Sequence, residues 1–302
     1  MAVINSSHFA YKLWPGVRAW YGETYNEFKP EYPALFVRVP STRAYEEEVG
    51  STGFGLANII AEGSGVSYDT AEQGYMKRYT NVEYGLGFIL TKNMVDDDQY
   101  QTPMRQRSQG LAFSMRQTKE INAANIFNRA FNSSYTGADG KEMCATDHPN
   151  KSGGTWSNEL ATPADLSEAS IEQAVLNLFD ITTDRGLTIS VKPKKLAIPG
   201  ELIFEATRIL ESQLQSDSAD NNINALKTMG IIPEVVVNHY FTDADAWFIL
   251  TDVKDGLKYQ ERQADVFTVD NDFDTDNAKY KAKSRYVFGY TDPRCVFGSP
   301  GA

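Results

Sequence analysis

Between Gly50 and Leu90 the chain encodes a structure that a compact domain does not need internally. Gly50, Gly53, Gly55, Gly63, Gly65 and Gly74 crowd a segment whose aliphatic anchors are Leu56, Ile59, Ile60 and Val66. From Tyr75 to Leu90 the residues alternate as in a strand, with Met76, Arg78, Thr80, Val82 and Tyr84 on one face. Tyr75, Lys77, Tyr79, Asn81 and Glu83 take the other face. Two strands joined through a glycine-rich tip predict a hairpin over residues 51–90. Arms of roughly 15 residues at ~3.3 Å each reach on the order of 50 Å. A hairpin of that length is marginal alone in water, so it is expected to rest on another surface.

Downstream, residues 103–131 carry the strongest helical pattern. Pro103 suits a first turn, and Leu111, Met115, Ile121, Ala124, Phe127 and Phe131 keep spacings near multiples of the helical period. A helix of that extent is about 43 Å long, and its single apolar stripe predicts that it lies across a sheet. Residues 1–50 read instead as an irregular arm. Pro15, Pro30, Pro33 and Pro40 interrupt Phe9, Tyr11, Trp14, Trp20, Tyr21, Tyr25, Phe28, Tyr32 and Phe36. These aromatics need burial on this chain's body or on a neighbour's, and the sequence leaves both open.

The rest of the chain divides in three. Residues 91–164 hold the long helix and then a loop region with turn signals at Gly137-Ala-Asp-Gly140, Asp147-His148-Pro149 and Gly153-Gly154. Residues 165–265 alternate helices and short strands. Ser167 caps a helix carrying Ile171, Val175, Leu178 and Phe179, and Leu196–Ile198 is a strand. A helix with Leu202, Ala206, Ile209 and Leu210 follows, then one closed by Gly230. Val235–Val237, Trp247–Leu250 and Val266–Val269 complete the strands. Helices on a central sheet make an α+β fold. Residues 266–302 hold an acidic loop and a long strand, Lys279–Phe297, expected to return beneath the long helix.

Composition narrows the function classes. The 302 residues carry 29 Lys plus Arg against 40 Asp plus Glu, a net charge of −11, which argues against a surface that grips phosphates throughout. A hydrophobic share of 41% sustains a core and rules out disorder as the main state. No apolar run is long enough to cross a bilayer, and the first ten residues lack the pattern of a signal peptide, so the expected location is the cytoplasm. Cys144 and Cys295 read as free thiols.

Catalytic and cofactor motifs are scarce. The sequence has no P-loop, no G-x-S-x-G and no H-E-x-x-H, and Gly53/Gly55 and Gly85/Gly87 lack the rest of a dinucleotide fingerprint. No cofactor is expected. The best enzyme candidate joins Cys144, Asp147 and His148 as an activated nucleophile in one loop, the basis of a cytoplasmic cysteine hydrolase reading. Asp270, Asp272, Asp274 and Asp276 alternate like the start of a calcium loop, but Thr275 and Lys281 stand where glycine and a bidentate glutamate are required. A weak divalent-cation loop is the most that pattern supports. Glu46-Glu47-Glu48 reads as a solvated face or a dock for a basic neighbour.

The order of elements resembles the major capsid proteins of tailed bacteriophages with the HK97 fold, and more narrowly the Mu-type major head subunits. Phe127–Phe131, Gly137-Ala-Asp-Gly140, Asp147-His148-Pro149, Leu187 and Lys192–Pro199 leading into a helix at 201–211 carry the resemblance. It implies that residues 1–50 are an N-terminal arm, 51–90 the E-loop, 103–131 the spine helix, 165–265 the axial domain and 266–302 part of the peripheral domain. It further implies pentamers and hexamers of this chain in an icosahedral or prolate head enclosing double-stranded DNA, with scaffolding, portal and decoration proteins as partners. Intersubunit contacts are expected from Trp14, Trp20, Tyr21, Tyr25, Phe28, Leu56, Ile59, Ile60, Tyr75 and Tyr79. Some relatives crosslink through an E-loop lysine. Residues 56–76 contain none and Lys77 stands at the hairpin base, so no crosslink is expected. An encapsulin-like cellular compartment sharing this fold is the alternative shell.

Overall fold

The computed structural model describes residues 9–27, 29–96, 101–215, 222–254, 256–272 and 277–302. Its beam is a 28-residue helix, Gln101–Asn128, about 42 Å long. Pro103 falls in the first turn, where its missing N–H costs no intrahelical bond. Among the described residues six helices and strands precede this beam, α1 (Phe9–Tyr25), β1 (Val37–Pro40), β2 (Tyr45–Ser51), β3 (Gln73–Thr80), β4 (Val82–Leu90) and α2 (Lys92–Asp96), and the beam itself is α3. Then come β5 (His148–Pro149), β6 (Thr155–Trp156), α4 (Glu168–Phe179), β7 (Pro193–Ile198), α5 (Ile203–Glu211), α6 (Ala225–Met229), β8 (Glu234–Val237), β9 (Trp247–Thr251), β10 (Leu257–Asn271), β11 (Ala278–Tyr290) and β12 (Val296–Ser299).

Two four-stranded sheets organise these elements. Sheet 1 runs β1-β10-β11-β4 and sheet 2 runs β12-β9-β7-β8. The inward face of β11, Ala278, Tyr280, Ala282, Ser284 and Tyr286, is buried while Lys279, Lys281 and Lys283 face water, as the alternation predicts. Asn122 of α3 donates to the Tyr286 hydroxyl at 3.2 Å, which places the beam over this sheet. Phe127 of α3, Phe36, Tyr259, Tyr286, Phe288 and Phe248 meet in one buried cluster that joins the two sheets. A second cluster with Ile171, Val175, Leu178, Leu196, Ile249 and Trp247 fills sheet 2. Ser167 caps α4 in a reciprocal box with Ser170, and Gly230 closes α6 at φ +58°.

Four expectations need correction. The supposed irregular arm contains a 17-residue helix despite Pro15. Its reason is legible afterwards: Val17, Tyr21 and Tyr25 recur every four residues and lay one face on the body. The strand expected over Tyr75–Leu90 breaks at Asn81, with β3 in the hairpin and β4 in sheet 1. The buried Asn81 amide donates to Ser41 Oγ at 2.8 Å and to the Arg43 carbonyl at 3.0 Å, fixing that corner. The first hairpin strand begins at Tyr45, before the glycine-rich segment. Finally, the closing strand expected over Lys279–Phe297 splits, its end crossing to sheet 2 as β12, while Val266–Val269 is a strand as expected, within β10.

Candidate functional site

The hairpin has a root bound to the body and an apolar tip with no cover. At the root, Glu48 accepts from Lys258 Nζ and Thr291 Oγ1, both at 2.5 Å, and from Gln260 at 3.3 Å. The Tyr79 side chain is buried, its hydroxyl 2.6 Å from Thr291 and its ring against Gly289. A Cβ at position 289 would sit 2.7 Å from that ring, so only glycine fits there. Tyr75 donates to the Pro149 carbonyl at 3.2 Å under Lys151, whose ammonium lies 4.2 Å from the ring centre. Glu46 accepts from the Thr42 and Arg43 N–H groups, and Glu47 pairs with Arg78 at 2.6 Å. The acidic run is thus spent within the chain. The cleft of about 500 Å³ beneath the root is likewise self-paired, Arg294 with Asp184 and Lys258 with Glu48.

Further out, Arg185 clasps Asp69, with Nη2 2.8 and 2.9 Å from its two carboxylate oxygens and 2.8 Å from the Thr70 carbonyl. The Gly55 and Thr70 N–H groups, then Arg185, hold the Asp69 carboxyl below the ordinary range. Beyond this clasp the chain is bare. Phe54, Leu56, Ile59, Ile60, Val66 and Tyr68 are all exposed, Ile59 fully and Tyr68 at 97%. Six large apolar side chains within fifteen residues form a patch that isolated monomers rarely keep in water.

The aromatic arm behaves differently. Val17 and Tyr21 are buried, Val17 with Leu90, Met104 and Tyr280, and Tyr21 with Leu111, Ala112 and Met115. Tyr21 stacks on Phe267 with ring centres 4.6 Å apart. Trp20 and Tyr25 pack on the same body, partly covered. Phe28 and the Trp14 side chain lie outside the described residues. Tyr25 donates to Asp265, which also takes Lys119 Nζ at 2.5 Å in a pair whose side chains are 4% and 9% exposed. Burial, then the Asp265 charge, pushes the Tyr25 hydroxyl well above its ordinary range. Asp265 faces inward because the β10–β11 register shifts between Gln263 and Val266, a bulge that re-aims the side chain. Sequence reasoning missed this residue, for alternation alone assigns it no role.

The proposed nucleophile site is not assembled. Cys144 is fully buried and burial pushes its thiol up. His148 contacts Asp139 Oδ2 at 2.6 Å and Asn158 Oδ1 at 3.0 Å, and its ring stacks on Trp156, which commits both nitrogens away from the thiol. Asp147 turns to Lys141 at 2.5 Å. Asn158 donates to the Met143, Pro293 and Val296 carbonyls at 2.8–3.0 Å, so this constellation pins a loop. Asp272 pairs with Lys279 at 2.7 Å, Asp270 is the next-to-last residue of β10, and Asp274 and Asp276 lie outside the described residues. Among the described residues no cluster of three or more metal-ligating side chains forms.

A long helix across a sheet, a second α+β lobe and a projecting hairpin with uncovered apolar tip define the HK97 type of shell-forming protein. A family model described as phage capsid protein matches residues 75–298. The chain belongs to that family, whose model does not single out the Mu type. Among solved structures, one of Mycobacterium phage Patience matches at 8% identity over 98% of this chain and 88% of its own, with a TM-score of 0.52. The mature capsid of bacteriophage PhiM1 matches at 10% identity, 90% and 86% coverage and a TM-score of 0.52. A virus-like particle from Pyrococcus furiosus matches at 10% identity, 94% and 97% coverage and a TM-score of 0.50. These likenesses show the fold. No curated protein matches the sequence. The chain is a structural subunit of a phage capsid, a virion component that assembles with its own copies.

Proposed function

We propose that this chain builds the head of a tailed phage as pentamers and hexamers around double-stranded DNA. The carrying observation is the hairpin tip, whose Phe54, Leu56, Ile59, Ile60, Val66 and Tyr68 are exposed and whose root is fixed. A closed shell covers such a surface on every subunit at once, and contacts repeated around each subunit add by multivalency. An acidic subunit suits a container, since a lining that gripped DNA would hinder packing. Scaffolding, portal and decoration proteins are its partners, and assembly takes place in the host cytoplasm. The subunit itself has no catalytic role. Residues 56–76 hold no lysine, and Lys77 lies at the root, 5.2 Å from the Tyr290 ring centre, so mature shells stay uncrosslinked. Denaturing gels of mature particles with bands above 33.7 kDa would refute that.

The test of the main reading is to purify the untagged chain, size it and image it. Closed particles in the megadalton range that package DNA support a phage head. The likeness to a virus-like particle keeps a cellular compartment as the second reading, and particles filled with protein cargo would favour it.

A further inference from the structure

The contact between Lys119 and Asp265 has a setting that the other lysine pairs described above lack. Its side chains are 4% and 9% exposed, against 12% and 23% for Lys258 and Glu48 at the hairpin root. Lys119 comes from the middle of α3, Asp265 from the bulge in β10, and Tyr25 closes the site as the last residue of α1. The rings of Tyr25, Tyr259 and Tyr286 have their centres 5.8, 5.9 and 5.4 Å from the ammonium nitrogen. An amine and a carboxyl group are thus held in contact inside a dry aromatic pocket.

The two oxygens of Asp265 are treated unequally. Oδ2 receives Lys119 Nζ at 2.5 Å and the Tyr25 hydroxyl, and Tyr25 Oη accepts from Lys119 Nζ at 3.1 Å, so the three groups close a ring. Oδ1 is buried with no hydrogen-bond partner. A carboxylate carries charge on both oxygens, and leaving one of them unpaired in an apolar site is costly. One proton passing from the ammonium to Oδ2 relieves that cost, because Oδ1 then becomes an uncharged carbonyl oxygen. The same transfer turns Lys119 into a neutral amine, which is a nucleophile, and sets it against a carboxylic acid.

We propose that Lys119 and Asp265 condense into an amide within the folded chain. The freshly folded chain holds the ion pair, and the bond accumulates from it. Nζ attacks Cγ, the Cγ–Oδ2 bond breaks, and Oδ2 leaves as water carrying two of the three ammonium protons. The third proton stays on the amide nitrogen and Oδ1 becomes the amide oxygen. Tyr25 lends a proton to Oδ2 and recovers one from Nζ, so no net proton is gained or lost. Well-oriented contact of this kind is equivalent to a reactant concentration on the order of 10⁵–10⁸ M. The product staples α3 to sheet 1 across 146 positions of one chain, so denaturing gels still show single chains.

Intact-mass spectrometry of the purified, unassembled full-length chain over days of incubation tests this. A species lighter by one water is expected to accumulate, and its protease digest to contain a branched peptide joining Lys119 to Asp265. Lys119→Arg keeps the cation without the amine and should stay at its sequence mass. Tyr25→Phe should slow the water loss by about a hundredfold. A wild-type chain that keeps its sequence mass throughout would overturn the proposal. So would a water loss that persists in Lys119→Arg or maps to another residue, the signature of an aspartate cyclising on its own backbone. Unslowed loss in Tyr25→Phe would overturn the proton relay. If Lys119→Arg does not fold, the branched peptide from the wild-type chain decides. No particle is needed for any of these measurements, so their failure leaves the shell reading intact.

Discussion

Two segments of this chain are rich in exposed-looking apolar residues, and the fold treats them in opposite ways. Residues 16–25 bring Val17 and Tyr21 into the body, and the tip at 53–68 leaves Phe54, Leu56 and Ile59 in water. The first has a helical period of four that builds a face, so it closes a layer over α3 and sheet 1. The second has glycines and no period, so its apolar residues build no helical face for the body to bury, and they stay exposed. Aromatic content signals a demand for burial, and periodicity decides who meets it.

Deletion separates the two segments most strongly. The sequence by itself suggests that removing residues 1–40 leaves a soluble body that fails to close into particles. The structure corrects that expectation, because Val17, Tyr21, Leu35 and Phe36 are all core residues. That truncation should yield no folded product, whereas replacing residues 54–68 with a short Gly-Ser link should leave the thermal transition of the unassembled chain unchanged and abolish particles.

Next in size is the charge pair beneath α1. Lys119→Met should cost about 3–5 kcal/mol in chemical denaturation of the unassembled chain, because Asp265 is left buried without its cation. Lys119→Met with Asp265→Leu should recover most of that loss. A Lys119→Met chain as stable as wild type would mean that α1 does not seal the pair. Tyr21→Ala should cost about 3 kcal/mol by the same measurement. Its counterpart at the tip, Ile59→Ser, should change subunit stability by no more than about 0.5 kcal/mol and lower particle yield instead.

A pH response belongs to the body alone. Burial, then the Glu142 charge, pushes Glu159 up to about 7 from an ordinary value of 4.5. The folded state therefore holds a proton that the unfolded chain has released, and stability falls as pH rises from 4.5 to about 7. Glu159→Gln should flatten that slope, read from denaturation midpoints across pH, and Ile59→Ser should not.

Much of the layout was legible from local rules. The helix starting near Pro103, the Ser167 cap, the Gly230 stop and the alternation of Lys279–Tyr286 all depend on neighbours in sequence, and all appear in the structure. What escaped depends on distant partners. Nothing near Asn81 says that its amide will hold the 41–43 turn and break a strand, and nothing near Asp265 announces Lys119. At the site, the exposure of Ile59 and Ile60 follows from the glycine-rich tip, while the root's hold on Glu48 emerges only when β10 brings Lys258 beside it.

Hydrogen exchange, compared between the unassembled subunit and assembled particles, tests most directly whether copies of this chain supply the missing cover. The tip at residues 53–68 should exchange fast in the subunit and slowly in the particle, with residues 16–25 equally protected in both. A tip that stays fast in closed particles, or an α1 that gains protection while the tip does not, would contradict the account.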